Sequence, residues 1–218
     1  MNSIKAFLIT IALLSALLYS CKHEPLMAPG TPEVCFDSQI MPVIQSSCAK
    51  SGCHDGGGEA FSLLTYNEIV SQVQRGKPLS SKLYKVITAN PHLGSIMPPK
   101  PNEPLTSAQI DNIEIWILQG ANPTTCTVEC DTVNVTFTGS ILPVNDTYCK
   151  GCHSGSSPSG GITLTDYASI KAAVDGGRYV GAIEQLTGYT AMPKGSPKLP
   201  ECNIYQINKW IKQGMPNN

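Results

Sequence analysis

Charge is scarce in this chain. Asp, Glu, Lys and Arg make up 14% of its 218 residues, and the formal net charge is −1. Without a basic excess it has no electrostatic footprint for nucleic acid, whose phosphates call for clustered Lys and Arg. Aromatic residues stand at 6%, and there are only four histidines. Alternating strand patterns are also rare: "NVTFTGS", Asn134 to Ser140, is the one strand-like stretch. The N-terminal apolar run, Ala6 to Tyr19, has 14 residues, short of the roughly 20 that a helix needs to span a bilayer. What the chain does have is 19 glycines, 17 prolines and nine cysteines. Loops should therefore outweigh long regular elements, within one ordinary domain or two small ones.

The N-terminus sets the compartment. Lys5 precedes the apolar run, which matches the h-region of a secretory signal. The run ends in "LLYSC", Leu17 to Cys21, which resembles the bacterial lipobox, although Tyr19 is not the usual small residue. That resemblance implies a signal peptide over 1–20 and lipidation of Cys21 as the first mature residue. A plain signal peptide with an incidental Cys21 is the alternative. Residues 21–32, a Pro-rich polar stretch containing His23, read as a tether. The mature chain is thus expected outside the cytoplasm, lipid-anchored to a bacterial membrane and facing the periplasm or the cell surface, where disulfides persist.

The rest of the chain reads as one unit written twice. "IMPVIQSSC" (Ile40 to Cys48) aligns with "ILPVNDTYC" (Ile141 to Cys149), and each runs into a Cys-His pair and a Gly/Ser-rich loop. "SLLTYNEIV" aligns with "ITLTDYASI" around Tyr66 and Tyr167, and "IMPPK" with "AMPKG". Each copy closes on a Trp-centred helix, around Trp116 and Trp210. The copies run over 33–127 and 129–218. Each is mainly α. Thr106 and Gln109 form a capping-box signature, Gly120 suits the C′ position, and Ile110, Ile113, Trp116 and Ile117 fall on one stripe. Further helices are expected over 65–75, 80–89 and 166–175, and Pro42 and Pro143 suit helix first turns.

The chemistry lies in the two Cys-His segments. Cys149-Lys-Gly-Cys152-His153 is C-x-x-C-H, the attachment signature of c-type haem. Two thiols must reach two vinyl groups of one macrocycle while the next side chain aims an imidazole at the iron. Zinc sites space their later ligands further along, and a thioredoxin-like pair would want a βαβ pattern. Cys48-Ala-Lys-Ser-Gly-Cys53-His54 is C-x4-C-H. Alone it reads equally well as a disulfide loop with an exposed His54, but its register with the second copy favours a second haem. Its thioether bonds are the open point. Met97 and Met192 lie 43 and 39 residues after His54 and His153, each before a proline. Such loop methionines suit a distal thioether ligand, which favours Fe(II). Met41 and Met215 are weaker candidates, and His92, near Met97, has no counterpart in the second copy.

On these motifs both halves resemble class I cytochrome c domains: a helix running into the CH motif, a methionine loop, and a C-terminal helix packing back on the first. The likeness is closest to tandem cytochrome c-like lipoproteins. It implies two haem c groups, His/Met ligation, and electron transfer through Cys48, Cys53, His54, Met97, Cys149, Cys152, His153 and Met192. It also implies that terminal elements pack together, which would pair Cys35 with Cys126 and Cys130 with Cys202. Four cysteines allow three pairings, and a short Cys126–Cys130 loop is an alternative. The partners implied are redox proteins and a membrane. Two other readings stay open: a dihaem peroxidase-like enzyme, and a non-haem lipoprotein with disulfide-bonded CH loops. Asp55, Glu59 and Glu68 form no catalytic pattern.

Overall fold

The computed structural model describes residues 25–58, 60–90, 96–126 and 129–218. The signal segment, Cys21, His23, Glu59 and His92 lie outside the described residues. Every regular element among those described is helical, so the chain is mainly α. In the first half a π turn, Phe36–Ile40, leads into α1 (Met41–Ser47), followed by α2 (Tyr66–Val70), α3 (Lys82–Ile87) and α4 (Ser107–Leu118). In the second half a π turn, Phe137–Ile141, leads into α5 (Leu142–Tyr148), then α6 (Tyr167–Asp175), α7 (Tyr179–Ile183) and α8 (Glu201–Lys212). Among the described residues no helix is long and apolar enough to cross a membrane.

Local chemistry accounts for most of these boundaries. Thr106 accepts from the Gln109 N–H while the Gln109 side chain accepts from the Thr106 N–H, closing a capping box on α4. Thr65 with Glu68 and Asp166 with Ser169 do the same for α2 and α6. Helix α4 stops at Gly120, whose φ of 96° favours glycine. Two expectations need correction. Residues 134–140 contain no strand: the Asp131 carboxylate takes the N–H groups of Val133 and Asn134. Thr136 then caps the turn through the Gly139 N–H at 3.0 Å. Helix α2 ends at Val70 rather than near 75, because neighbouring residues take the backbone groups that would extend it. Gln72 O accepts from Leu83 N at 3.0 Å, and Gln74 N donates to the buried Ser81 hydroxyl at 2.9 Å.

Each half buries its own apolar cluster, and the clusters repeat one another. Phe36 meets Tyr66 edge-on at 5.1 Å and Trp116 at 5.4 Å; Phe137 meets Tyr167 edge-on at 5.2 Å and Trp210 at 5.8 Å. Tyr66 donates to Ala121 O at 2.9 Å, and Tyr167 to Met215 O at 2.8 Å. The indoles of Trp116 and Trp210 donate to Asn122 O and Pro216 O, both at 2.9 Å. Both indoles are fully buried, and truncating either to Ala should cost about 3–5 kcal/mol. Disulfides close the two halves: Cys35–Cys126 spans 91 residues of sequence and Cys130–Cys202 spans 72. Helices α1 and α5, which lead into the two CH segments, pack against each other.

Candidate functional site

Both CH segments start where a short helix runs out. The N–H groups of Cys48 and Ala49 share Ile44 O at 2.8 and 2.9 Å, and those of Cys149 and Lys150 share Asn145 O at 2.9 and 2.8 Å. The histidine then folds back onto the first cysteine: His54 N donates to Cys48 O at 3.2 Å, and His153 N to Cys149 O at 2.9 Å. The two extra residues of the first copy are absorbed inside this closed loop. Cys53 N bonds to Lys50 O at 2.9 Å, and Gly52 takes a φ of 79°. The longer gap therefore leaves the ends of the motif in the same relation as in the shorter one.

The imidazoles are held alike. His54 Nδ1 lies 2.8 Å from Phe61 O, and His153 Nδ1 lies 3.1 Å from Ile162 O. Backbone carbonyls only accept, so Nδ1 carries a proton, and in the neutral tautomer this leaves the lone pair on Nε2. The next turn of chain locks this arrangement, with Leu63 N on His54 O at 3.0 Å and Leu164 N on His153 O at 2.8 Å. His54 also packs on the Phe61 ring at 4.5 Å. Neither Nε2 has a hydrogen-bond partner among the described residues.

The four CH cysteines are unpaired, unlike the other four described. Burial, reinforced by the second thiol of the same segment, pushes Cys48 and Cys149 up to about 12. Burial likewise raises Cys152. Protonated thiols are poor metal ligands and poor nucleophiles. Among the described residues no three His, Cys, Asp or Glu side chains converge to hold a metal ion.

Met97 N donates to Val86 O at 2.8 Å and Met192 N to Ala182 O at 2.9 Å, hanging each methionine on the end of α3 or α7. Met97 is 37% exposed and Met192 half-buried, whereas Met41 and Met215 pack against the cores. In both loops the Met–Pro peptide is cis.

The halves differ at two buried positions of their cores. In the first, Ile44 on α1 and Leu83 on α3 are apolar and buried. At the matching positions the second has Asn145, fully buried, and Tyr179. Tyr179 donates to Asn145 Oδ1 at 3.0 Å, and Asn145 Nδ2 donates to Ile141 O at 2.9 Å. Burial, aided by Cys149, raises the Tyr179 hydroxyl. These two residues, with Lys50 and Gly151, are the features of the site that motif reading passed over. Each acts through a partner more than thirty residues away, so no local signal marks it. Compared with family models, curated proteins and solved structures, the chain matches none.

Proposed function

We propose that the chain is a lipid-anchored, extracytoplasmic electron carrier built from two cytochrome c-like units, with one haem c on each CH segment. The observation that carries this reading is the matched pair of histidine clamps, each beside two unpaired thiols. An imidazole with Nδ1–H fixed on a carbonyl offers Nε2 as an oriented, neutral iron ligand. The donor set fits the group: two thiols for thioether links, one oriented imidazole, and a partly exposed thioether further along the chain. When bound, such a group supplies reversible one-electron exchange between Fe(III) and Fe(II).

His54 and Met97 would hold the iron of the first group, and His153 and Met192 that of the second. Thioether donors are soft and neutral and favour the reduced metal. If His54 and Met97, and His153 and Met192, each held one iron, the chain itself would supply its ligands, and electron exchange with redox partner proteins would suit the site better than substrate chemistry. Cys21 anchors the tether, and the disulfides suit an oxidising compartment.

The test is haem stoichiometry by pyridine haemochrome on protein matured in a host competent for haem c. Two covalent haems per chain are expected. One haem refutes the assignment of the first CH segment, and none refutes the proposal. Met97→Ala and Met192→Ala should each remove the Met–Fe charge-transfer band of one haem. A surviving band refutes that ligand.

A further inference from the structure

The two CH segments touch. Ser46 Oγ donates to Thr147 O at 2.9 Å, Gln109 Nε2 to Asp146 O at 2.9 Å, and the Cys152 thiol to Ser46 O at 3.4 Å. Gly151, between the cysteines of the second motif, faces Ser46 O so closely that an added Cβ would lie 2.2 Å from it. Lys50, between the cysteines of the first motif, reaches across the seam. Its Nζ donates to Gly151 O at 2.7 Å and also bonds the Asn102 side-chain carbonyl.

Lys150, the lysine inside the second motif, is neutralised by Asp146 at 3.3 Å. Among the described residues Lys50 has no such partner: none of their carboxylates lies within ion-pair distance, and both its acceptors are neutral. Of the other carboxylates near the seam, Glu103 lines a shallow cleft of about 400 Å³ together with Lys150.

Resting on the haem reading above, we infer that Lys50 is a positioning residue shared by both redox sites. Its ammonium, held between the CH segments by the neutral acceptors Gly151 O and Asn102, raises the reduction potential of both. A fixed positive charge disfavours the more positive Fe(III) state, most strongly where water is partly excluded. The longer C-x4-C gap gains a role here, because its extra residues carry this lysine across the seam.

The experiment is a spectroelectrochemical titration of the two-haem protein. Lys50→Gln is expected to lower both midpoint potentials by about threefold to tenfold in the reduction equilibrium constant, ~30–59 mV for one electron. Lys50→Arg should keep both, and Lys212→Gln, on the exposed end of α8, should move neither. Asn102→Asp sets a carboxylate against the ammonium without removing Lys50, and should lower both in the same way. If Lys50→Gln or Asn102→Asp leaves either potential unmoved in a protein carrying two haems, the inference is overturned. A wild-type chain without haem overturns the functional reading and this inference together.

Discussion

Gly151→Ala tests the seam without involving any cofactor. Gly151 has an ordinary backbone conformation, so the substitution adds a methyl group and no left-handed strain. The new Cβ would lie 2.2 Å from Ser46 O, 2.4 Å from Ser46 C and 2.8 Å from Ser47 N, where ordinary contact begins near 3.4 Å. All three are backbone atoms, so no side chain can swing aside. The segments must part by more than about 1 Å, which stretches bonds of 2.7–2.9 Å beyond useful length. Ser46 Oγ keeps a second acceptor in Val43 O at 3.3 Å, whereas Gln109 Nε2 and Lys50 lose theirs on Asp146 and Gly151. Overpacking costs about 1–3 kcal/mol, and each lost hydrogen bond about 0.5–1.5 kcal/mol. Because relaxation relieves part of the clash as the bonds break, the sum falls near 2–4 kcal/mol.

Denaturant unfolding followed by tryptophan fluorescence reads the effect, since each core holds one buried indole. Trp116→Phe and Trp210→Phe backgrounds report the halves separately. Gly58→Ala is the control, because its added Cβ meets only Cys53 O, at 4.0 Å. Gly151→Ala should lower the midpoint in both backgrounds while Gly58→Ala stays within about 0.5 kcal/mol of the parent. Equal stability of the two alanine variants would refute the close packing of the CH segments.

The buried pair in the second half invites a double-mutant cycle. Asn145→Ile should cost about 1–3 kcal/mol by orphaning the Tyr179 hydroxyl, and adding Tyr179→Leu should recover much of it, because Ile44 and Leu83 already fill those places in the first half; a doubly substituted chain less stable than either single variant would contradict the correspondence. Replacing Cys35 and Cys126 with serine should cost about 4.6 kcal/mol by the loop-entropy relation for a 91-residue loop, and the Trp116 signal should fall before the Trp210 signal in chemical denaturation. Hydrogen bonds from the Ser169 backbone N–H and hydroxyl hold the Asp166 carboxyl below its usual range. Its contribution to α6 is then present above the unfolded value of about 3.9 and lost as pH falls through the lower folded value. Asp166→Asn keeps a cap without the titration, so its stability deficit in thermal unfolding should shrink below about pH 4; a deficit constant down to about pH 2 would exclude the link.

The features legible in the sequence are those whose partners lie within one helical turn. Thr106, Gln109 and Gly120 bound α4 because a capping box and a C′ glycine are local devices, and Pro42 and Pro143 open α1 and α5 for the same reason. The pattern misled where a distant or competing partner claimed the backbone. Asp131 and Thr136 turned a strand-like run into a capped turn, and Leu83 and Ser81 shortened α2. Among the site residues, the Cys-His spacing and the register of the two copies were visible, but the contact between the two segments was not. The spelling C-x4-C-H suggests a looser motif, yet the His54 N to Cys48 O bond closes it as His153 N to Cys149 O closes the shorter one. The added length appears as a bulge at Gly52 and as a lysine lodged against the other motif. Gly151 completes the point from the opposite side: with a Cβ the second motif could not seat against α1, and Lys50 would have no carbonyl to meet. The two spellings therefore fit each other as the two sides of one contact, a relation that neither motif shows when read alone.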